Sequence, residues 1–243
     1  MKMPSIKIQL IVFLSILAVC LSIINRDITF LSAAGISVIS AVLLDSSVTY
    51  LKTKRFKITD SSVITGLIIG YVISAGEPWW RFLIAAVFAI GSKYLIRVNG
   101  RHLFNPAAFG IFLTTILLGA ATQWKGADLW YALIPAGIYF VWKIRKVEII
   151  VAYALAYLIL FGGHAFIRNL SLIDILKYQN YFFIFIMLIE PKTTPIQRKG
   201  KIIFGASVAA LVFILTLCGV RFDAELSSLL LLNLAVPALN ILS

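Results

Sequence analysis

Long apolar runs alternate with short polar clusters along the whole chain. Cutting the chain at these clusters leaves ten apolar segments, at about residues 7–24, 29–51, 61–75, 79–97, 103–121, 127–143, 146–167, 173–189, 201–219 and 227–243. A helix needs about 20 residues to cross the hydrocarbon core of a bilayer, so ten such segments use almost the whole chain. The pattern therefore predicts an all-α polytopic membrane protein with about ten transmembrane segments and no soluble domain.

Segments three and eight are shorter than the others, and each ends against a polar stretch that contains proline, "SAGEPWW" and "IEPKTTP". A helix that stops inside a bilayer frees backbone groups that only protein or a water-filled cavity can satisfy. We therefore expect both segments to be broken or re-entrant helices. The first segment follows the basic stretch "MKMPSIK" and lacks a small-residue cleavage site, so we expect it to be a retained helix rather than a signal peptide.

Composition and charge agree with a membrane protein. Hydrophobic residues make up 61% of the chain, whereas a soluble domain has about 45–50% apolar residues. If the N-terminus is cytoplasmic, every even-numbered connection is basic, as the positive-inside rule requires for ten spans with both ends inside. The net charge of +12 then reflects topology in the plasma membrane. The expected partner is the lipid bilayer and not nucleic acid, for which no aromatic-basic motif is present.

Ten spans divide into two groups of five, residues 1–121 and 122–243. An odd number of spans in each group makes the groups inverted with respect to each other. Segment five contains "LFNPAAFGIF" and segment ten contains "LLNLAVPALN", which share Asn and Ala at one spacing, and the two short segments stand third in each group. The pattern predicts two inverted five-helix repeats, with a ligand site near the membrane midplane where the broken helices meet.

Four stretches, in chain order, resemble the signatures of the NqrB/RnfD family: "SSVITGLIIGYVISAGEPWW", "FAIGSKYLIRVNGRHLFNPAAFG", "FFIFIMLIEPKTTPIQRKGKIIFGA" and "LLNLAVPALN". Members of this family are membrane subunits of the sodium-pumping NADH:quinone oxidoreductase and of the Rnf complex. The resemblance implies ten helices in an inverted-repeat fold related to urea transporters. It also implies a bound flavin, and other Rnf- or Nqr-like membrane subunits as partners.

One family element is missing. Family members usually carry a threonine, in a motif similar to Asp-Gly-x-Ser-(Gly/Ser)-Ala-Thr, to which FMN is esterified between helices five and six. Here that connection is only "ATQWKGADLW", and Ile116 stands six residues before Thr122, where the motif has Asp. We interpret Thr122 as the end of helix five. The chain therefore resembles a short form without the flavinylation loop, and we expect FMN or riboflavin, where bound, to be held non-covalently.

An Asn-Pro step, Asn105 and Pro106, opens segment five behind Arg97, Arg101 and His102. Proline fits the first turn of a helix, whose N–H groups have no intrahelical partner, and Asn fits the N-cap before it. The partial positive charge of a helix start, strengthened by the basic residues, is suited to an anion or a polar ligand edge. The alternative is that the step only starts a helix at the membrane boundary.

The predicted ligand site is completed by residues from both repeats. Asn233 is the counterpart of Asn105, and we expect both side chains to point into the interface between the repeats. Glu190 stands where the family commonly has Asp before Pro, and it either binds a cation or caps the break of helix eight; Thr193 follows it. Thr65 and Gly66 suit either a close helix crossing or an approach of the backbone to the ligand.

Asp45 lies inside segment two, about seven residues from the basic stretch that follows it. An ionisable residue at such depth is a functional candidate by default, so we place Asp45 on an ion pathway. The alternative is a buried ion pair with a basic side chain reaching from Lys52 or Lys54.

Metal and nucleotide chemistry have no support in the sequence. His102 and His164 fall near opposite membrane surfaces, so one haem iron cannot use both, and Cys20 and Cys218 are isolated residues without zinc or iron–sulfur spacing. Neither a P-loop nor a Rossmann glycine pattern occurs. Two functions remain: a flavin-linked electron-transfer subunit coupled to ion movement, or a transporter or channel for a small solute or vitamin that uses the same fold.

Overall fold

The computed structural model describes residues 4–177 and 179–241, and this part of the chain is mostly helical. Its α-helices are α1 (Ile6–Ile24), α2 (Ile28–Thr53), α3 (Asp60–Val72), α4 (Trp79–Leu95), α5 (Pro106–Leu118), α6 (Trp130–Lys143), α7 (Val147–Ile167), α8 (Leu172–Lys177), α9 (Arg198–Leu217) and α10 (Ala224–Leu239). A 3-10 helix (Lys125–Leu129) leads into α6, and a π-helix (Phe183–Met187) follows α8. Strands β1 (Arg97–Val98) and β2 (Arg101–His102) form a hairpin.

The helices follow the apolar segments that the sequence pattern predicts. Helices α1, α2, α7 and α9 are long and apolar enough to cross a bilayer, and α3, α5 and α10 are shorter apolar helices. Large hydrophobic side chains such as Ile16, Ile159 and Ile214 are exposed on the long helices, as lipid-facing side chains are. The chain is therefore a polytopic helical membrane protein. Lys2 and the extreme ends of the chain, which the charge pattern assigns to the cytoplasm, lie outside the described residues.

Polar residues set the starts of several helices. The Asp27 carboxylate accepts hydrogen bonds from the backbone N–H groups of Thr29 (3.0 Å) and Phe30 (3.3 Å) at the start of α2. Ser5, Thr59 and Asp223 cap α1, α3 and α10 in the same way. Each cap satisfies donors that have no partner within the helix, so short polar clusters between apolar runs are sufficient to separate the helices.

The chain divides into two compact units. The first contains Met1–Arg97 and Pro106–Trp130, and the second contains Val98–Asn105 and Tyr131–Ser243. In the first unit α2 packs against α3 and α4, and α4 packs against α5. Small residues make these crossings close, because a Cβ added at Gly66 or Gly70 would meet the backbone of α2, and one at Gly110 would meet the Ala85 carbonyl of α4. Such small-residue contacts are typical of membrane helices.

The second unit is built around α9, which packs against α7 and α10. A Cβ at Gly205 of α9 would meet the Ile149 carbonyl of α7, and a Cβ at Gly200 would meet the Leu239 carbonyl of α10. Helix α9 thus contacts both neighbours through glycine.

The backbone groups that become free where α3 ends pair with the segment that follows α5. Helix α5 ends at Leu118, and Gly119 has a φ of +65°, a left-handed conformation that suits glycine at a helix end. Ser74 N–H then donates to the Ala121 carbonyl (2.9 Å), and Gln123 N–H donates to the Val72 carbonyl (2.7 Å). Thr122 pairs with Ile73 in this extended segment. Our interpretation of Thr122 as the end of helix five was therefore wrong, because the broken α3 needs an extended partner.

Segment eight is interrupted as well. It consists of the six-residue helix α8 and the π-helix Phe183–Met187, in which Leu188 N–H donates to the Phe183 carbonyl (2.9 Å). Residue 178, between the two, lies outside the described residues. The π-helix is fully buried and ends just before Glu190. Both short segments are thus interrupted, as the polar stretches after them predicted, and the second interruption frees the Met187 carbonyl for the site described next.

Candidate ligand site

One buried amide joins two loops of the second unit. The Asn233 side chain is fully buried on α10. Its Oδ1 accepts from the N–H of Asn105 (3.0 Å), and its Nδ2 donates to the carbonyl of Thr193 (3.0 Å). Three residues selected from the sequence are therefore in direct contact. Because both backbone groups are buried, the amide supplies hydrogen bonds that water cannot.

Asn105 is itself buried, with an exposed fraction of 2%. Its Nδ2 donates to the Met187 carbonyl (3.3 Å), at the end of the π-helix. Helix α5 begins at Pro106, as the sequence predicted. The Asn-Pro step therefore does more than start a helix, because the asparagine also ties the interrupted segment eight to α10.

Glu190 lies beside this amide. Its Oε1 is 3.0 Å from Nε2 of His102, and its backbone carbonyl accepts from the hydroxyl of Thr194 (2.8 Å) and the N–H of Thr193 (3.3 Å). The carboxylate thus pairs with His102, and the carbonyl shapes the turn after segment eight. Only 5% of His102 is exposed, because β2 carries it into contact with Glu190.

A cavity of about 250 Å³ opens next to these residues. It is lined by the hairpin turn, the loop after Glu190 and the end of α10: Val98, Asn99, Arg101, His102, Leu103, Lys192, Thr193, Ile196, Val236, Pro237 and Asn240. The lining contains two permanent cations and no carboxylate. An anionic group of phosphate size matches this charge.

The hairpin that brings Arg101 to the cavity is specified locally. Asn99 and Gly100 have positive φ values of 49° and 78°, which is the geometry of a two-residue type I′ turn. The hydrophobic pattern did not predict this hairpin, although the Asn-Gly pair between Val98 and Arg101 is a strong signal for it.

Two further contacts hold the loop after Glu190 in place. The Asn240 Oδ1 accepts from the N–H of Ile196 (2.8 Å), and the Lys146 ammonium donates to the Pro195 carbonyl (2.8 Å). Lys146 precedes α7 and is almost completely buried. Burial, together with the nearby charges of Lys201 and Arg101, lowers its pKa to about 8. Neither residue was selected from the sequence, because only their place in the fold gives them this role.

The remaining ligand-site candidates belong to the first unit. The hydroxyl of Thr65 donates to the Ser61 carbonyl (2.8 Å) within α3, and Gly66 lies against the backbone of Ser37 and Val38. Gly66 therefore forms a close helix crossing, one of the two roles that its sequence context allowed.

Asp45 is fully buried in the first unit. Its carboxylate accepts from the Lys93 ammonium (2.7 Å), the Tyr94 hydroxyl (2.9 Å) and the Thr59 hydroxyl (2.6 Å). The ion pair is thus formed with α4 and not with Lys52 or Lys54. The expected partner was wrong because those lysines follow Asp45 by seven and nine residues, about 10 Å or more along the helix axis, whereas α4 packs beside α2.

Comparison with known proteins decides the family. The model of the NQR2, RnfD, RnfE family matches residues 2–134 and 113–243, so the matches cover almost the whole chain. The chain belongs to this family. The resemblance expected from the four sequence stretches is confirmed.

Several curated relatives are D subunits of ion-translocating oxidoreductase complexes. The chain is 24% identical over 280 residues to the D subunit of the ion-translocating oxidoreductase complex of Marinobacter nauticus, covering 82% of this chain and 79% of the relative. It is 38% identical over 73 residues to the protein of the same name from Shewanella sediminis, covering 28% and 21%. It is 32% identical over 79 residues to the D subunit of the Na(+)-translocating ferredoxin:NAD(+) oxidoreductase complex of Acetobacterium woodii, covering 32% and 25%.

The NQR2, RnfD, RnfE family is associated with flavin, so the size of the cavity decides how much of that cofactor it can hold. Pockets that enclose drug-sized ligands have volumes of about 300–1,000 Å³, and this one has about 250 Å³. The cavity fits a phosphate-sized anion, which Arg101 and Lys192 would hold, and it is too small to enclose a whole FMN. Among the described residues, the two cations of the lining suit the polar end of a ligand rather than a whole flavin.

Proposed function

We propose that this chain is a membrane subunit of an Rnf- or Nqr-type electron-transport complex, in which flavin-linked electron transfer is coupled to ion movement across the plasma membrane. The observation that carries the proposal is the family match along almost the entire chain. The relative from Marinobacter nauticus, aligned over most of its length, is named as a subunit of an ion-translocating oxidoreductase complex. Other Rnf- or Nqr-like membrane subunits are the proposed partners.

Within this function, the cluster of Asn105, Glu190, Thr193 and Asn233 supports one wall of a ligand site, which it reaches through Thr193. Pro106 fixes the chain direction after Asn105. The hydrogen bonds of Asn233 support this role, because a rigid wall positions a ligand better than a mobile loop. Arg101 and Lys192 bind the anionic end of a non-covalently held FMN, whereas riboflavin lacks the phosphate that these cations would bind.

The difference between the two flavins gives a test of the site. In the purified complex, Arg101→Gln and Lys192→Gln are expected to weaken FMN binding by about tenfold or more, because each removes a charged hydrogen bond worth about 1.5–3 kcal/mol. Riboflavin binding should change little. Lys143→Gln, which removes an exposed lysine outside this cavity, is the matched control. Equal weakening of FMN binding and riboflavin binding would contradict phosphate binding by these residues.

We propose that the architecture consists of ten membrane segments in two inverted repeats, residues 1–121 and 122–243, with both termini cytoplasmic and a fold like that of urea transporters. Corresponding helices pack alike within each unit: α2 on α4 and α4 on α5 in the first, α7 on α9 and α9 on α10 in the second. The break of α3 is also tied to the segment after α5, as the loop after segment eight is tied to α10. Reporter fusions at the two ends test the topology, and opposite locations would contradict it.

Asp45 is the proposed ion-pathway residue of the first unit. The Asp45 carboxylate is paired with the Lys93 ammonium at 2.7 Å. In the proposed pathway, a passing cation displaces this ammonium and takes its place beside the carboxylate. This role rests on the depth of Asp45 in α2 and on its buried ion pair.

A transporter or channel for a small solute or vitamin is the second candidate function. The observation that favours it is the short connection after α5, which lacks the flavinylation motif and pairs with the end of α3 through Thr122. Uptake of riboflavin by vesicles containing only this chain would support the transporter. Uptake that requires the other subunits and a reduced electron donor would contradict it.

A further inference from the structure

A second cavity of the second unit lies where α6 passes into α7. Its volume is about 510 Å³, and it is lined by Trp142, Lys143, Arg145, Val147 and Glu148. Helix α6 ends at Lys143, and α7, which is long and apolar enough to cross a bilayer, begins at Val147. The first turn of a membrane-crossing helix marks a membrane boundary. The cavity therefore lies at the depth of the lipid headgroups.

Two basic side chains of this lining are available to an anion. Lys143 and Arg145 are both exposed, and within the described part of the chain neither of them forms an ion pair. The lining also contains Glu148, but its carboxylate is 3.2 Å from the Lys201 ammonium. Because the carboxylate is already paired, the two exposed cations give the cavity a net positive charge.

Backbone hydrogen bonds hold the turn from which these cations extend. The N–H of Lys146 donates to the Val141 carbonyl (3.0 Å), and the N–H of Arg145 donates to the Trp142 carbonyl (3.2 Å). Such bonds satisfy the last carbonyls of a helix. The Arg145 carbonyl in turn accepts from the Lys201 ammonium (2.8 Å) at the start of α9. The turn is therefore tied to the helix bundle and presents both cations on one side of the cavity.

Aromatic side chains border the positive charge. The Lys143 ammonium is 5.5 Å from the centre of the Trp142 ring and 5.9 Å from that of the Tyr139 ring, within the range of a cation–π contact. Trp142 is 67% exposed, and Val147 is exposed beside it in the lining. Exposed tryptophan and tyrosine are typical of the headgroup region of a bilayer. The cavity thus combines a charged part with an apolar part.

We propose that Lys143, Arg145 and Trp142 form a binding site for the phosphate headgroup of an anionic membrane phospholipid. Ammonium and guanidinium groups bind phosphate oxygens through charge-assisted hydrogen bonds, and basic pockets beside membrane helices suit anionic headgroups. A free phosphate has the same chemistry, but it would fill little of a cavity whose size is that of pockets for drug-sized ligands, about 300–1,000 Å³. The site goes beyond the proposed redox function, because it needs neither flavin nor a partner subunit.

The test counts the phospholipids that stay bound to the purified full-length chain in detergent, by native mass spectrometry. The chain is offered phosphatidylglycerol and phosphatidylcholine with the same acyl chains, and we expect it to retain phosphatidylglycerol in preference. Lys143→Gln and Arg145→Gln should each lower the affinity for phosphatidylglycerol about tenfold, the usual loss when a hydrogen bond to a charged group is removed. Trp142→Ala should lower this affinity as well, which a general attraction between charges would not explain.

Lys199→Gln is the matched control, because Lys199 is an exposed lysine of the same unit outside this lining. It removes the same charge and should keep phosphatidylglycerol bound. The proposal is overturned by a wild-type chain that retains both lipids equally, or by equal losses in Lys199→Gln and Arg145→Gln. Displacement of the lipid by inorganic phosphate would assign the cavity to a free anion instead. Absence of the lipid from the purified complex would assign the cavity to a partner subunit.

Discussion

At the scale of single residues, Asn233 shows why amide chemistry matters inside this protein. Its oxygen accepts from Asn105 and its nitrogen donates to Thr193. Aspartate has nearly the same shape, but its second oxygen would face the Thr193 carbonyl without a proton between them. Alanine leaves a buried N–H and a buried carbonyl unpaired. Only a side chain with one donor and one acceptor in this arrangement satisfies both loops.

Substitution of Asn233 is therefore expected to destabilise the second unit. Asn233→Ala should lower the free energy of unfolding by about 1–3 kcal/mol for each group left unpaired, and Asn233→Asp should not rescue it. Thermal unfolding in detergent measures the loss, and Leu234→Ala, at an exposed position on the same helix, is the control. A fully stable Asn233→Asp chain would contradict the pairing.

Thr122 gives the prediction about covalent flavin. The motif around it is absent, and it pairs with Ile73 in an extended segment. Co-expression with a flavin transferase should therefore leave no fluorescent band on a denaturing gel. A band that survives denaturation in the wild-type chain and disappears in Thr122→Ala would show the opposite.

Variants of Asp45 distinguish a structural role of its charge from a role in ion movement. Asp45→Asn leaves the Lys93 ammonium buried without its counter-charge, which typically costs about 3–5 kcal/mol. Asp45→Asn combined with Lys93→Met should recover much of the stability, since no charge is then left unpaired. If Asp45 lies on the ion pathway, the double variant folds but does not move ions. Wild-type ion transport by the double variant would leave Asp45 with a structural role alone.

At the scale of elements, hydrophobic patterning accounts for where the helices lie, because the apolar runs and polar caps are both local properties of the sequence. It also predicted that α3 and segment eight would be short, from the polar stretches after them. It could not predict which residues pair with the groups that these breaks leave free. The pairing of Ser74 with Ala121, like the contact of His102 with Glu190, joins residues far apart in the sequence. The position of Thr122 was misjudged for the same reason.

The close helix crossings give a prediction at this scale. Gly205→Ala places a Cβ against the Ile149 carbonyl of α7, so α7 and α9 must separate, at an expected cost of about 1–3 kcal/mol. Gly163→Ala, where an added Cβ meets nothing within 4 Å, should be neutral or slightly stabilising because alanine favours helix more than glycine does. Thermal unfolding of both variants makes the comparison, and equal stabilities would contradict a tight α7–α9 contact.

At the scale of the whole molecule, the family match, the apolar helices and the excess of basic residues point to one function. The resemblance to the family could be found in the sequence because it rests on motifs in chain order. The proposed anion site could not be found in this way, because Arg101 and Lys192 are separated by about 90 residues and share a cavity lining only after folding. Folding thus brings together two basic residues whose charges the sequence pattern explains only by membrane topology.

The proposed coupling of electron transfer to ion movement can be measured directly. The measurement is ion uptake by inverted membrane vesicles from the source cells, followed with sodium and proton indicators after addition of NADH or reduced ferredoxin. We expect uptake to disappear when the gene is deleted, to return with the wild-type chain and not to return with Asn105→Ala. Equal uptake by vesicles with and without the chain would contradict the coupling.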